Sequence, residues 1–354
     1  NFAYMKQKII FTNDIIHDVE AVLSTFQYDK IFVLMDSNTH RFCWDLLGKS
    51  ALLHNAQHII IEPGDSNKNL NTLSFIWEEL STKGATRHSC LINLGGGMVT
   101  DIGGMASSTF KRGLKFINIP TTLLSMVDAS VGGKTGINFN GVKNEIGLFS
   151  ESNAVILHSA FLQTLPYNEL LGGFAEMIKH ALIDSETLWA ETLRFDIENP
   201  NWEELFLLVK KNVEVKERIV IEDPKEQNIR KALNFGHTFA HAFEAWSISN
   251  EQELSHGFAV AYGIICELYL SALLQEFPFD KMKQTLMFIY SLYPTFPFAC
   301  NDYNKIIDLM RHDKKNKGQD INFSLLKDIG SLALNTVVGE EDIKNALDFL
   351  RETN

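Results

Sequence analysis

The sequence predicts two domains: an α/β domain with a mainly parallel sheet over residues 1–160, and an all-α domain over residues 161–354. Up to about residue 160, short apolar runs alternate with amphipathic segments, which is typical of a parallel sheet covered by helices on both faces. Beyond that point strand-like runs become rare, and the apolar residues take up helical spacing. The length of 354 residues suffices for two cores.

Four β-branched, apolar runs predict the strands: 30–35, 58–61, 89–94 and 115–119. Each run ends in a turn signal, and in a parallel sheet these turns meet at the edge where ligands bind. Four later segments have helical spacing: 202–221, 232–246, 256–274 and 302–312. The most apolar stretch, 258–274, is interrupted by Glu267 and falls short of a membrane span, so we expect a buried helix there.

Composition excludes several classes of protein. A hydrophobic share of 45% is too high for a disordered chain, and a net charge of -12 argues against a broad surface for nucleic acid or anionic membranes. The first residues lack the zones of a secretory signal, and none of the 4 cysteines forms a CxxC pair. We therefore expect a cytoplasmic protein with reduced thiols that binds neither nucleic acid nor membrane.

Glycine-rich turns in the first domain suit a phosphorylated ligand. The turn 95–97 follows a predicted strand and precedes Asp101, but it is not GxGxxG, so a plain strand–helix turn explains it equally well. The segment 131–138 contains Lys134, and Lys143 follows closely in a second loop. Lysine charges beside glycine amides can hold a phosphate, whereas the alternative is a solvated surface loop.

The second domain carries candidate metal ligands. His237 and His241 share one helix face at i,i+4, and His256 opens the next apolar helix. A set of Glu176, His237 and His256 would offer two imidazoles and a carboxylate, the donor set of a catalytic zinc site. Spacing alone leaves other interpretations open, because a helical histidine is seldom a ligand and Glu176 with Lys179 can form an exposed salt bridge.

Together these motifs resemble the 3-dehydroquinate synthases of the sugar-phosphate cyclase superfamily. The resemblance covers nearly the whole chain, from about residue 36 onwards, and the matching strings occur in the same order. They are 94–97 with Asp101, 120–124 through Asp128 to 132–135, Lys143 with Asn144, 175–176 with Lys179, 233–238, and 256–257.

The resemblance implies that the α/β domain binds NAD and that the all-α domain holds one divalent metal, zinc or cobalt. The substrate would be 3-deoxy-D-arabino-heptulosonate 7-phosphate, and the products 3-dehydroquinate and phosphate. In this family the dinucleotide transiently oxidises a ring hydroxyl, phosphate is eliminated, the ketone is reduced again, and an intramolecular aldol reaction closes the carbocycle. The enzymes are therefore phosphate-eliminating lyases of the shikimate pathway.

The resemblance also implies roles for individual residues. The metal ligands would be Glu176, His237 and His256. The catalytic set would be His241, Glu226, Lys134, Lys179 and Asp128. The substrate-binding residues would be Arg112, Lys134 and Asn144 for the phosphate, Lys216, Arg230 and Asn234 near the carboxylate and hydroxyls, and one of Lys314 and Lys315. The NAD site would comprise Asp36, Asn38, Asp65, Lys68, Gly96, Gly97, Asp101, Thr121, Thr122, Lys143 and Thr164. In family members, the arginine that matches Arg112 comes from the neighbouring subunit, so a homodimer is expected.

Four positions depart from the usual family pattern. Thr100 stands where glycine is common, Asp65 and Phe258 stand where glutamate is common, and Phe110 stands where tyrosine is common.

Two other enzyme classes remain as alternatives. A sister cyclase of the inosose, valiolone or amino-dehydroquinate type would share the fold, although the first two types lack a substrate carboxylate. A metal-dependent alcohol dehydrogenase would release NADH at each turnover and would not need the lysines. A catalytically silent scaffold is disfavoured because the ligand set and Lys134 are all present.

Overall fold

The computed structural model describes residues 7–140, 142–252, 254–311 and 320–353. The chain divides into two compact units, of which the first ends at Leu170 and the second begins at Leu171. This division falls within the helix Tyr167–Asp184, somewhat later than the predicted boundary after residue 160.

The first unit is built on a parallel sheet, as the sequence predicts. Its strands are β1 (Lys8–Phe11), β2 (Ile31–Asp36), β3 (Gln57–Ile61), β4 (Cys90–Gly95), β5 (Lys115–Pro120), β6 (Lys134–Phe139), β7 (Val142–Phe149) and β8 (Ala154–Leu157). Six of them pair in parallel in the order β1-β8-β5-β4-β2-β3. The four predicted runs correspond to β2, β3, β4 and β5, and the residues of β2 and β4 are buried throughout.

Helices cover this sheet because their apolar residues recur at helical spacing. They are α1 (Ile15–Ser24), α2 (Ser37–Phe42), α3 (Trp44–Leu47), α4 (Leu70–Thr82) and α5 (Gly97–Thr109). In α4, Leu73, Ile76 and Leu80 form the buried stripe, and Asn69 caps the first turn. Apolar residues of α4 and α5 belong to one core cluster with β2, β3 and β4.

The lysine-bearing glycine segments form an antiparallel ribbon of β6 and β7 rather than the loops that the sequence suggested. Gly136 and Gly147 face each other in it. A Cβ atom on Gly136 would lie 2.7 Å from the Ile146 carbonyl oxygen, and one on Gly147 would lie 2.4 Å from that of Thr135. The glycines therefore mark a close approach of two strands, which loop composition does not distinguish from a turn.

The second unit is mainly helical, which confirms the prediction in outline. Its helices are α6 (Tyr167–Asp184), α7 (Glu186–Arg194), α8 (Trp202–Glu222), α9 (His237–Ser249), α10 (His256–Gln275), α11 (Phe279–Leu292), α12 (Tyr303–Arg311) and α13 (Glu340–Thr353). One difference from an all-α domain is the hairpin of β9 (Ile321–Asp328) and β10 (Ser331–Val338). Its turn requires Gly330, whose φ is +73°.

Helix α10 is the core helix of this unit. It is the one helix among the described residues with the length and hydropathy to cross a membrane, and 72% of its most apolar window is buried inside the protein. The expectation of a buried helix is thus confirmed. Glu267 lies in its middle and is fully buried as well.

Candidate active site

Side chains from three helices of the second unit converge on one point. Glu176 comes from α6, and His237 and His256 are the first residues of α9 and α10. The Oε1 atom of Glu176 lies 3.3 Å from the Nε2 atom of each histidine. One donor atom of each residue lies within 4.8 Å of the other two, so the three can hold a single cation. Glu176 and Lys179 are both buried, which excludes an exposed salt bridge.

Contacts between glycines bring these helices close enough for the three side chains to meet. A Cβ atom on Gly257, the second residue of α10, would lie 2.0 Å from the carbonyl oxygen of Gly172 on α6. A Cβ atom on Gly263 of α10 would lie 1.9 Å from the carbonyl oxygen of Gly236, which immediately precedes α9. No residue with a side chain fits at either place without moving a helix.

The two imidazoles are oriented by their Nδ1 atoms. Nδ1 of His237 lies 3.1 Å from the carbonyl oxygen of Phe235, and Nδ1 of His256 lies 3.3 Å from Oε2 of Glu244. A carbonyl or carboxylate oxygen only accepts, so each Nδ1 carries the hydrogen and each Nε2 can present a lone pair. Two lone pairs and a carboxylate oxygen then converge, which is a fitting donor set for a divalent metal.

Burial and neighbouring charges shift the pKa values of these groups. Burial, assisted by the Lys179 ammonium, lowers the pKa of His237 to about 4. Burial alone would raise the pKa of Glu176, but Lys179 and His237 hold it well below its usual range. For His256, burial is outweighed by Glu244 and Glu176, which raise its pKa to about 10. With this raised pKa, His256 carries a proton on Nε2 as well as on Nδ1. A cation bound at Nε2 would replace that proton and its positive charge.

His241 lies one turn after His237 on α9, with ring centroids 5.5 Å apart. It is exposed and does not belong to the three-residue donor group. An exposed imidazole beside a cation site can exchange protons with a bound molecule or with solvent.

A loop after α8 carries further predicted residues, and Asp223 organises it. The carboxylate of Asp223 accepts hydrogen bonds from the backbone N–H groups of Gln227 (3.0 Å), Asn228 (2.6 Å) and Arg230 (3.2 Å). Burial alone would raise the pKa of Asp223, but these donors lower it. The loop therefore has a defined shape.

This loop brings together two of the predicted residues. Nδ2 of Asn234 donates to Oε1 of Glu226 at 2.8 Å. The side chain of Arg230 is buried there, and its Nη1 donates to the Pro224 carbonyl at 2.7 Å. Lys216 on α8 is buried too. The predicted carboxylate-binding cations are thus held by their surroundings rather than extended into solvent.

In the first unit, the turns after β4 and β5 lie side by side at the carboxyl edge of the sheet. Thr121 donates its backbone N–H to the carbonyl of Gly95 at 3.0 Å. A Cβ atom on Gly96 would lie 3.0 Å from Cγ2 of Thr122, so the second turn packs directly on the first. Helix α5 begins at Gly97 without a side-chain cap, which leaves its N-terminus suited to an anion.

An ion cluster lies in the same unit. Nζ of Lys68 is 3.1 Å from Asp101 and 3.3 Å from Asp65, and Nζ of Lys143 is 3.4 Å from Asp65. Burial opposes the charge of Lys68, but the two carboxylates raise its pKa. Burial likewise opposes the charge of Asp65, but the two lysines lower its pKa. Asp65 reaches both lysines, although it is shorter than the usual glutamate.

The other predicted cofactor residues also follow strands. Asp36 ends β2, is buried, and caps α2 by accepting the Thr39 N–H at 2.8 Å; burial raises its pKa despite this bond. Asn38 is exposed on α2. Thr164 is exposed in the short helix Ser159–Thr164 that follows β8.

The residues predicted for phosphate are less close to one another. Lys134 begins β6, whereas the backbone N–H of Asn144 on β7 donates to Asn138 near the other end of the ribbon. Lys134 and Asn138 are about 13 Å apart along β6. Asp128 lies in the π-helical turn Ser125–Ala129. The ribbon therefore does not bring Lys134 and Asn144 together.

Arg112 lies at the opposite end of the parallel strands, where they begin. It precedes β5 and lines a cavity of about 580 Å³ with Arg87, His88 and Lys111, whereas Thr121 follows β5 at the carboxyl edge. A strand of this length spans about 20 Å. Within its own unit, Arg112 is therefore remote from the turns that carry Gly96 and Thr121.

The remaining predicted residues and the family departures have simple placements. Lys314 and Lys315 lie outside the described residues. Thr100 is buried on α5 and donates to the Gly97 carbonyl at 3.1 Å. Phe110 packs against the core of the first unit. The ring of Phe258 packs edge-on against Tyr293 at 5.3 Å, so an apolar contact replaces the usual charge.

Two residues near the cation site were not predicted. Glu244 is seven positions after His237 and thus on the same helix face, so helical spacing contains the signal that identifies it. The only sequence signal for Glu267 is a charge within an apolar helix.

Comparisons with known proteins point to the same family over most of the chain. The sequence-family model for the 3-dehydroquinate synthase N-terminal domain matches residues 58–172. The family model for the C-terminal domain matches residues 173–316. The 3-dehydroquinate synthase of Parabacteroides distasonis is 50% identical, covering 98% of this chain and 99% of that protein. That of Campylobacter concisus is 41% identical and covers 83% of each chain.

Solved structures share the fold. A 2-deoxy-scyllo-inosose synthase complexed with carbaglucose-6-phosphate, NAD+ and Co2+ superposes with a TM-score of 0.83 at 21% identity, covering 97% of this chain and 96% of that one. The 2-epi-5-epi-valiolone synthase ValA from Streptomyces hygroscopicus, with NAD+ and Zn2+ bound, gives 0.83 at 22% identity, covering 98% and 97%. The two family models and the near-complete relatives show that this chain belongs to the 3-dehydroquinate synthase family.

Proposed function

We propose that the chain is a 3-dehydroquinate synthase, which converts 3-deoxy-D-arabino-heptulosonate 7-phosphate to 3-dehydroquinate and phosphate in the shikimate pathway. The observation that carries the proposal is the convergence of Glu176, His237 and His256, with both imidazoles oriented through Nδ1, in a chain of this family. We propose these three residues as ligands of zinc or cobalt.

When bound, NAD supplies a reversible hydride acceptor, and the metal supplies a Lewis acid for a substrate oxygen. The dinucleotide would bind at the carboxyl edge of the parallel sheet, where α5 offers its N-terminus to the pyrophosphate. Asp36 is the acceptor available after β2 for a ribose hydroxyl, and the Asp65–Lys68–Asp101 cluster holds the neighbouring segments together.

The chain's own residues bind the substrate and move protons. His241 is proposed to take the proton of the substrate hydroxyl and to return it, because it is an exposed imidazole beside the ligand set. Glu226, oriented by Asn234, is proposed as a general base. Arg230 and Lys216 are proposed to bind the substrate carboxylate, and Lys134 its phosphate.

We also propose a cytoplasmic homodimer. The observation in support is the position of Arg112 at the edge of the sheet remote from the cofactor turns, because a substrate contact by this residue then calls for the site of another copy. Sedimentation should give a dimer, and Arg112→Ala should raise KM while leaving the mass unchanged. A fully active monomer would contradict the proposal.

One assay tests the activity. The protein is mixed with the heptulosonate phosphate, NAD and zinc, and both phosphate release and NADH absorbance are followed. The conversion involves no net oxidation, so we expect stoichiometric phosphate without lasting NADH. No phosphate release by folded, metal-loaded protein would favour a sister cyclase, to be tested with other sugar phosphates. Accumulating NADH would indicate a dehydrogenase.

A further inference from the structure

Glu267 is a buried carboxylate that none of the predicted roles includes. It interrupts the apolar sequence of α10, and its side chain is fully buried. A carboxylate is taken out of water at a large cost unless hydrogen bonds compensate. The partners of this carboxylate therefore indicate its purpose.

Two of those partners are the backbone N–H groups on either side of His237. Oε2 of Glu267 accepts from Gly236 at 2.8 Å, and Oε1 accepts from Thr238 at 3.1 Å. Helix α9 begins at His237, and the preceding Gly236 has no side chain with which to cap it. Glu267 supplies, from another helix, the acceptor that a capping side chain normally provides, and its charge is favourable at a helix N-terminus.

We propose that Glu267 is a positioning residue for His237. It holds the first turn of α9 so that Nε2 of His237 stays at the cation site. The inference rests on the proposed function, because it takes His237 as a metal ligand. Phe235 fixes the ring through Nδ1, and the Gly236–Gly263 contact sets the spacing of the two helices. Glu267 fixes the main chain between these points.

Both carboxylate oxygens are needed for this role. Glutamine has nearly the same shape, but it offers one oxygen and one NH2 group, and the latter cannot accept from an N–H. Glu267→Gln therefore leaves one of the two N–H groups without its acceptor. Because Glu267→Asp keeps both acceptor oxygens and the charge, its effect should be smaller than that of glutamine, although the side chain is one methylene shorter.

Ser271 provides the matched control one turn further along α10. Its Oγ accepts from the Leu326 N–H at 3.1 Å and donates to the Glu267 carbonyl at 2.6 Å. Ser271→Ala therefore weakens the packing of the same helix but leaves the Glu267 side chain in contact with α9. A general loss of stability would appear in both variants, whereas a change at His237 would appear only in the first.

The experiment measures Co2+ affinity by competition with a chelator and records the visible absorption of the bound ion, without substrate. We expect Glu267→Gln to bind Co2+ about 10- to 100-fold more weakly, with shifted absorption bands, and Ser271→Ala to match the wild type in both. If Glu267→Gln does not fold, as judged by circular dichroism, Glu267→Asp takes its place with a smaller expected loss.

Wild-type affinity and spectrum in a folded Glu267 variant, or the same losses in Ser271→Ala, would overturn the inference. A wild-type protein that binds no Co2+ would remove the proposed metal site itself. A failure of the proposed function is therefore distinguishable from a failure of the Glu267 inference, because the wild-type protein alone reveals it.

Discussion

The candidate cation site of the second unit and the predicted ligand-binding residues of the first unit are built in different ways. Around Glu176 the candidate ligands are buried or partly buried, and helices that touch through glycine backbones carry them. In the first unit, the predicted site residues Lys134, Asn38 and Thr164 are exposed, and short helices or a two-stranded ribbon carry them. The first arrangement holds the donor atoms through helix packing, whereas the second leaves exposed side chains that can adjust to a ligand. Substitutions should therefore affect metal binding and stability in one region, and mainly ligand affinity in the other.

The largest effect should come from the ligands themselves. His237→Ala or Glu176→Ala should lose the metal and the activity together, because two donors do not suffice to hold a divalent ion tightly. His241→Ala should keep the metal and lose rate. Metal content of purified variants, measured by mass spectrometry, checks this. Unchanged content in His237→Ala would remove that residue from the ligand set.

A second substitution separates packing from chemistry in the same region. Gly257→Ala should lower the free energy of unfolding by at least about 2 kcal/mol, because its Cβ atom would meet the backbone of Gly172. Gly172→Ala is the matched control, since a Cβ atom there meets nothing within 4 Å. It should be neutral or stabilising by up to about 1 kcal/mol. Urea denaturation measures both, and equal stabilities would show that the contact is not tight.

In the first unit, Lys134→Ala should raise KM for the sugar phosphate by about 10-fold or more, since a charged hydrogen bond contributes about 1.5–3 kcal/mol. Stability and NAD affinity should barely change, because the side chain is exposed. Steady-state kinetics and calorimetry test the two parts. An equal loss of NAD binding would assign this lysine to the cofactor.

The smallest effect should be seen at Asp65. Its pKa is lowered from the usual 3.8, so its ion pairs contribute stability above that pH, and this contribution is lost as the pH falls through the lowered value. Asp65→Asn should cost about 1 kcal/mol or less at pH 7, because the side chain is partly exposed. Urea denaturation at acid pH should show a smaller difference, whereas a difference that grows in acid would contradict the assignment.

The sequence was sufficient for the parallel sheet and the helical second part, since apolar periodicity is a local property. It also named Glu176, His237 and His256, whose donor atoms the structure brings together, and their role as ligands stays a proposal. It did not reveal the ribbon of β6 and β7, because glycines needed for strand contact look like loop glycines. The β9–β10 hairpin was also missed. Glu267 could be noted only as an anomaly, since its partners at Gly236 and Thr238 are remote in sequence.

The backbone at Lys111, Arg112 and Gly113 has φ angles of 48°, 69° and 113°, three successive residues in the left-handed region. For the two non-glycine residues this conformation costs roughly 1–2 kcal/mol each, and the rest of the folded unit offsets this cost before any ligand binds. Whatever anion or chain docks against Arg112 thus meets a preformed turn. Little ordering entropy is lost in that encounter, so the association rate should be governed by diffusion and charge rather than by rearrangement of this turn.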